Sequence, residues 1–95
     1  LSQDGLIIIV MTMDGASGSI VSGPDIITRG FIYARESEGL IKKIKDVAKE
    51  EIEICLENNI IEWQVLKSGV RKSVEQLLYH KTKRRPSVFP IIMEV

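Results

Sequence analysis

Apolar residues follow two rhythms along this chain. Residues 6–13 open with an almost unbroken apolar run, Leu6-Ile7-Ile8-Ile9-Val10-Met11. It is rich in β-branched side chains and short, so it predicts a strand. Residues 14–18 hold Asp14, Gly15 and Gly18 and predict a turn. Residues 19–22 read as the returning arm of a hairpin. Gly23-Pro24-Asp25 should interrupt it, because proline supplies no ladder donor. Ile26-Ile27-Thr28 and Phe31-Ile32-Tyr33 flank Arg29-Gly30, predicting an extended, bent segment with Gly30 at a bend or bulge.

From about Ser37 the period becomes helical. Ile41, Ile44, Ala48, Ile52 and Cys55 form one stripe, with Val47 and Leu56 beside it. Ser37 suits the N-cap, and Asn58-Asn59 should end the helix. A second helix is predicted from about Glu62 to Lys83, with Trp63, Leu66, Val70, Val74, Leu77 and Leu78 as its apolar face. Gly69 within it costs roughly 1 kcal/mol relative to alanine, which points to close packing against a neighbour. Pro86 should stop this helix. Residues 87–95 are a third extended segment, its first half demoted to an edge by Pro90.

The order is β-β-α-α-β in a single domain over residues 1–95, without repeats. The fold class is α+β, two-layer. The simplest closure is a three-stranded sheet with two helices on one face.

Alternation within the strands raises a further point. Leu6, Ile8 and Val10 alternate with Ile7, Ile9 and Met11, and Phe89, Ile91 and Met93 with Val88 and Ile92. Both sets are apolar, whereas a sheet with one solvated face alternates apolar with polar. One face should therefore expose an apolar patch, and such patches mark partner surfaces. Ile7, Ile9, Met11 and Ile92 are the candidate interface residues.

Composition is globular, 44% apolar and 27% charged, which excludes disordered and collagen-like chains. No apolar run approaches the roughly 20 residues of a membrane span. The single cysteine, Cys55, precludes an internal disulfide and suits a reducing compartment. The chain starts at Leu1, which suggests a piece of something longer. Net charge is zero, but residues 63–85 carry seven bases against Glu75 alone. The run His80-Lys81-Thr82-Lys83-Arg84-Arg85-Pro86 concentrates it. Lys81, Lys83, Arg84 and Arg85 there have two explanations: complementing the helix macrodipole, or contacting RNA phosphates. Tyr33 and Tyr79 offer stacking surfaces.

Little else points to catalysis. His80 and Cys55, one of each type, lack metal-ligand spacing and lack a paired base or nucleophile. Asp25 and Glu36 read as solvated turn and cap residues. Gly15-Ala16-Ser17-Gly18 has no lysine or following helix and fails the P-loop pattern. No catalytic, metal-binding or cofactor residue is assigned to this chain.

One signature is specific. Ser22-Gly23-Pro24-Asp25-Ile26-Ile27-Thr28-Arg29-Gly30-Phe31-Ile32-Tyr33, followed by Arg35-Glu36-Ser37, resembles the C-terminal domain of bacterial ribonuclease J. Tyr79-His80-Lys81-Thr82-Lys83-Arg84-Arg85-Pro86 and Pro90-Ile91-Ile92-Met93-Glu94-Val95 resemble the end of the same domain. The resemblance implies a cytoplasmic parent hydrolase with a metallo-β-lactamase core and an inserted β-CASP domain. Such an enzyme acts as a 5′–3′ exonuclease and endonuclease in RNA processing, with two divalent metal ions (zinc or manganese). The family's metal motif lies in the lactamase domain and matches nothing here. The implied role is accessory: supporting oligomerisation and activity, with the chain itself and the parent's catalytic domains as partners. The alternative is an RNA-binding module acting through the basic end of the second helix.

Overall fold

The computed structural model describes residues 4–31 and 38–95. The observed order matches the expected one: β1 (Leu6–Met13), β2 (Ile20–Arg29), α1 (Glu38–Glu57), α2 (Trp63–Thr82) and β3 (Ser87–Glu94). The sheet runs β2-β1-β3. β1 is antiparallel to β2 and parallel to β3. A parallel partner needs a crossover connection, and the two helices provide it. The chain's most apolar strand is thus the central one. α1 packs against β2 and α2 against β3. The buried strand residues Ile7, Ile9, Met11, Val88 and Ile92 all lie on one side of the sheet, so both helices cover that face.

Burial follows the two predicted periods. Ile7, Ile9 and Met11 are fully buried beneath the helices, joined by Met13, Val88 and Ile92. From α1 the core takes Leu40, Ile44, Ala48, Ile52 and Cys55; from α2 it takes Leu66, Val70, Val74 and Leu78. Ile41, expected in the α1 stripe, is only partly buried, as are Val47, Leu56, Trp63 and Leu77. The helices approach closely at Gly69, where a Cβ would fall 2.8 Å from Glu51 Oε2. Glu51 spans the seam: its Oε1 accepts from Ser73 Oγ at 2.9 Å and its Oε2 from Cys55 Sγ at 3.3 Å.

The helix ends are closed locally. Asn59 adopts φ 60°. Its N–H donates to Leu56 O at 3.0 Å, and that of Ile60 to Cys55 O at 2.9 Å. These are the paired bonds of a Schellman motif. In the β1–β2 turn, Asp14 Oδ1 accepts from the Ala16 N–H at 2.9 Å. That bond, followed by those from Ser17, holds the Asp14 carboxyl below its ordinary range.

Two details depart from the sequence reading. β2 is not interrupted at Gly23-Pro24: it runs through a cis Gly23–Pro24 peptide, and the register with β1 shifts around Thr12. Gly23, at φ 89°, would place a Cβ 2.6 Å from Val10 O, so this irregularity needs glycine. Gly30 forms the expected bend, at φ 67° just after the strand's last residue, and the ladder irregularity lies at Gly23. α2 stops at Thr82, before Pro86: Lys83 turns left-handed (φ 59°) and donates its N–H to Tyr79 O at 2.8 Å. Pro90 sits mid-strand in β3, which is an edge strand, as its proline requires. The expected N-cap Ser37 lies outside the described residues.

Candidate functional site

Two surfaces stand out: the sheet face away from the helices, and the C-terminal end of α2.

The apolar open face exists, but its residues are the opposite set from those expected. Ile7, Ile9 and Met11 are 0% exposed and Ile92 is 7% exposed, so the four candidate interface residues form part of the core. The strand period reveals two sets without saying which one the helices cover. The outward set is Ile27, Phe89, Ile91 and Met93, 43–50% exposed, with Leu6, Ile8 and Val10 half-buried between them. Register places Ile8 between Ile27 and Phe89, and Val10 between Asp25 and Ile91. Arg29, paired with Leu6, and Asp25 supply charge along the β2 side. Three strands about 4.8 Å apart and eight residues long give a footprint of about 350 Å².

The basic run does not form one cluster. Tyr79 is 42% exposed at the end of α2. Arg85 lies over its ring, with the guanidinium carbon 4.3 Å from the centroid, and Lys83 Nζ is 5.3 Å from it. These are cation–π distances. Lys83 reaches the ring because it caps the helix one turn beyond Tyr79; Arg85 returns because its N–H donates to Asp4 Oδ2 at 2.7 Å. The groove beside the ring has a volume of about 680 Å³ and is lined in part by Lys72, Glu75, His80, Lys83 and Arg85.

Lys81 points elsewhere, towards α1, where it meets Lys43. Their contact and like charge push the Lys43 ammonium below the ordinary lysine range. Arg84 does not line the groove, and its N–H donates to Thr82 Oγ1 at 3.1 Å. Sequence reasoning missed Lys72 and Lys43. The spacing 72, 76, 79, 80, 83 on one helix face was a signal for the first; nothing local marked the second, which belongs to another helix.

The remaining candidates do not converge. Tyr33 and Glu36 lie outside the described residues, and Asp25 is exposed on β2. His80 is exposed on α2, whereas Cys55 is buried on α1. Burial pushes the Cys55 thiol up, and the Glu51 carboxylate adds to the shift, the reverse of an activated nucleophile. Among the described residues no three His, Cys, Asp or Glu side chains gather. This donor set does not fit the two metal ions that the resemblance implies for the parent. Among the described residues no helix is long and apolar enough to cross a membrane.

The sequence model of the family described as Ribonuclease J C-terminal domain matches residues 1–95. The chain is 50% identical over 95 residues to Ribonuclease J2 of Bacillus subtilis (strain 168). It is 40% identical over 95 residues to Ribonuclease J 2 of Staphylococcus saprophyticus and to Ribonuclease J 2 of Staphylococcus aureus (strain NCTC 8325 / PS 47). In each case the match covers 100% of this chain and 17% of the relative.

Proposed function

The chain belongs to the ribonuclease J C-terminal domain family, and from that premise we propose that it is the non-catalytic assembly domain of a cytoplasmic, metal-dependent ribonuclease. The parent would cut RNA from the 5′ end and internally, with metal ions held in its metallo-β-lactamase core. This domain would hold subunits together, and hold the catalytic domains against them, through its open sheet face.

The observation that carries this reading is the outward set Ile27, Phe89, Ile91 and Met93 on an uncovered face. An apolar patch of about 350 Å² is the size of the largest patch on many monomers, and such patches are often functional. Its footprint of about 350 Å² is under half of the roughly 800 Å² that each partner gives a standard interface. The strands thus supply the apolar centre, and surrounding polar residues such as Arg29 and Asp25 supply the rim. The test is light scattering on the whole protein with Phe89→Asp and Ile91→Asp. Smaller particles with intact secondary structure support the reading; an unchanged mass refutes it.

A second reading, RNA contact through Lys81, Lys83, Arg84 and Arg85, is favoured by one observation. All four residues are exposed, in and just after the last turn of α2.

A further inference from the structure

We infer that the groove beside Tyr79 is a site for single-stranded RNA, taking a base against the Tyr79–Arg85 stack and the flanking phosphates on Lys72 and Lys83. This rests on the second reading above and narrows it from a charged run to a built site.

Three features carry the inference. The first is the stack itself. The Arg85 guanidinium, 4.3 Å from the ring centroid, sets a cation over an aromatic ring that is still exposed. Aromatic rings and guanidinium planes are the surfaces on which unpaired bases stack. The macrodipole explanation requires positive charge near the helix end; it does not require that charge to lie over an exposed tyrosine.

The second is the sign of the lining. Lys72, Lys83 and Arg85 line the groove with Glu75, and Asp4 accepts from the Arg85 backbone N–H, so three permanent cations outnumber two carboxylates in a chain of zero net charge. The charge is thus complementary to a phosphodiester backbone. Lys72 lies seven residues before Tyr79, about 10 Å along the helix axis, and Lys83 lies one turn beyond it. Cations therefore flank the ring on both sides along α2, as a strand running past the platform needs.

The third is placement. The groove is bounded by α2 and by the residues leading into β3, including Pro86 and Ser87. None of the outward residues Ile27, Phe89, Ile91 and Met93 lines it.

The test is fluorescence anisotropy with a labelled oligouridylate of about a dozen nucleotides, titrated with the chain at several KCl concentrations. Tyr79→Leu should weaken binding about tenfold with the salt slope unchanged, since it removes stacking and no charge; Tyr79→Phe should retain it. Lys72→Ala and Lys83→Ala should each lower the log–log salt slope by about 0.7. Lys67→Ala, about 18 Å from Tyr79 along α2, should bind as wild type. Binding in which Lys81 and Arg84 carry the slope, with Tyr79→Leu neutral, overturns the site and leaves the second reading standing. Competition by polyglutamate as effective as by RNA, or equal affinity for duplex RNA, also overturns the site. No wild-type binding at low salt overturns the site and the second reading together.

Discussion

Ile8 and Phe89 lie opposite one another across the β1–β3 pair, on the side of the sheet that carries no helix. Their neighbours Ile9 and Val88 point into the core. Charged substitutions at adjacent positions of β1 should therefore have unlike effects. Ile9→Glu should abolish the cooperative melt, because it buries an unpaired carboxylate. Ile8→Glu should leave far-UV circular dichroism and a cooperative transition in place. Loss of folding in both would mean that the outward face is also core.

Glu51 and Gly69 are coupled. Alanine at 69 gains roughly 1 kcal/mol of helix propensity, but its Cβ pushes on a carboxylate that accepts from Ser73 and Cys55. Losing the Ser73 bond costs about 1 kcal/mol. Gly69→Ala should be near neutral in the wild type and stabilising by about 1 kcal/mol in a Glu51→Ala background. Urea melts of the four proteins give the coupling; additivity would refute it.

Trp63 is half-buried at the start of α2, against the core and not inside it. Trp63→Ala should cost about 2 kcal/mol, below the roughly 3–5 of a fully buried tryptophan. A thermal melt reads the difference, and an unchanged midpoint would place the ring outside the packed structure.

The Cys55 thiol has a raised pKa, from burial first and then from Glu51. Its folded-state value lies above its unfolded value, so the folded state holds the proton more tightly. This contribution to stability is fully present below the unfolded thiol pKa and is lost as pH rises through the higher folded-state pKa. Iodoacetamide at mildly alkaline pH should label native chain far more slowly than urea-unfolded chain. Equal rates would show an accessible thiolate.

Most of the fold was legible because its signals are local. The β-branched run of β1, the spacing of four between Leu66, Val70, Val74 and Leu78, and Asn59 at a helix end each specify their element within a few residues. What escaped depends on distant parts of the chain. The phase of β1 is set by the side on which α1 and α2 pack, so alternation alone cannot say that Ile7 and Ile9 face the core. The continuity of β2 depends on Gly23 approaching Val10 across the sheet. The division of the basic run depends on Lys43 in α1 and on the left-handed cap at Lys83, which turns the chain so that Arg85 returns to Tyr79.

Sedimentation equilibrium of the chain over a wide concentration range, beside Ile91→Lys, tests the assembly reading most directly. Ile91 is outward, 43% exposed, and the middle one of the three outward residues of β3. The account predicts that the wild-type mass rises above 10.7 kDa with concentration, while Ile91→Lys stays monomeric with an unchanged melt. A wild-type chain that remains monomeric throughout, or an Ile91→Lys variant that associates as strongly, would contradict it.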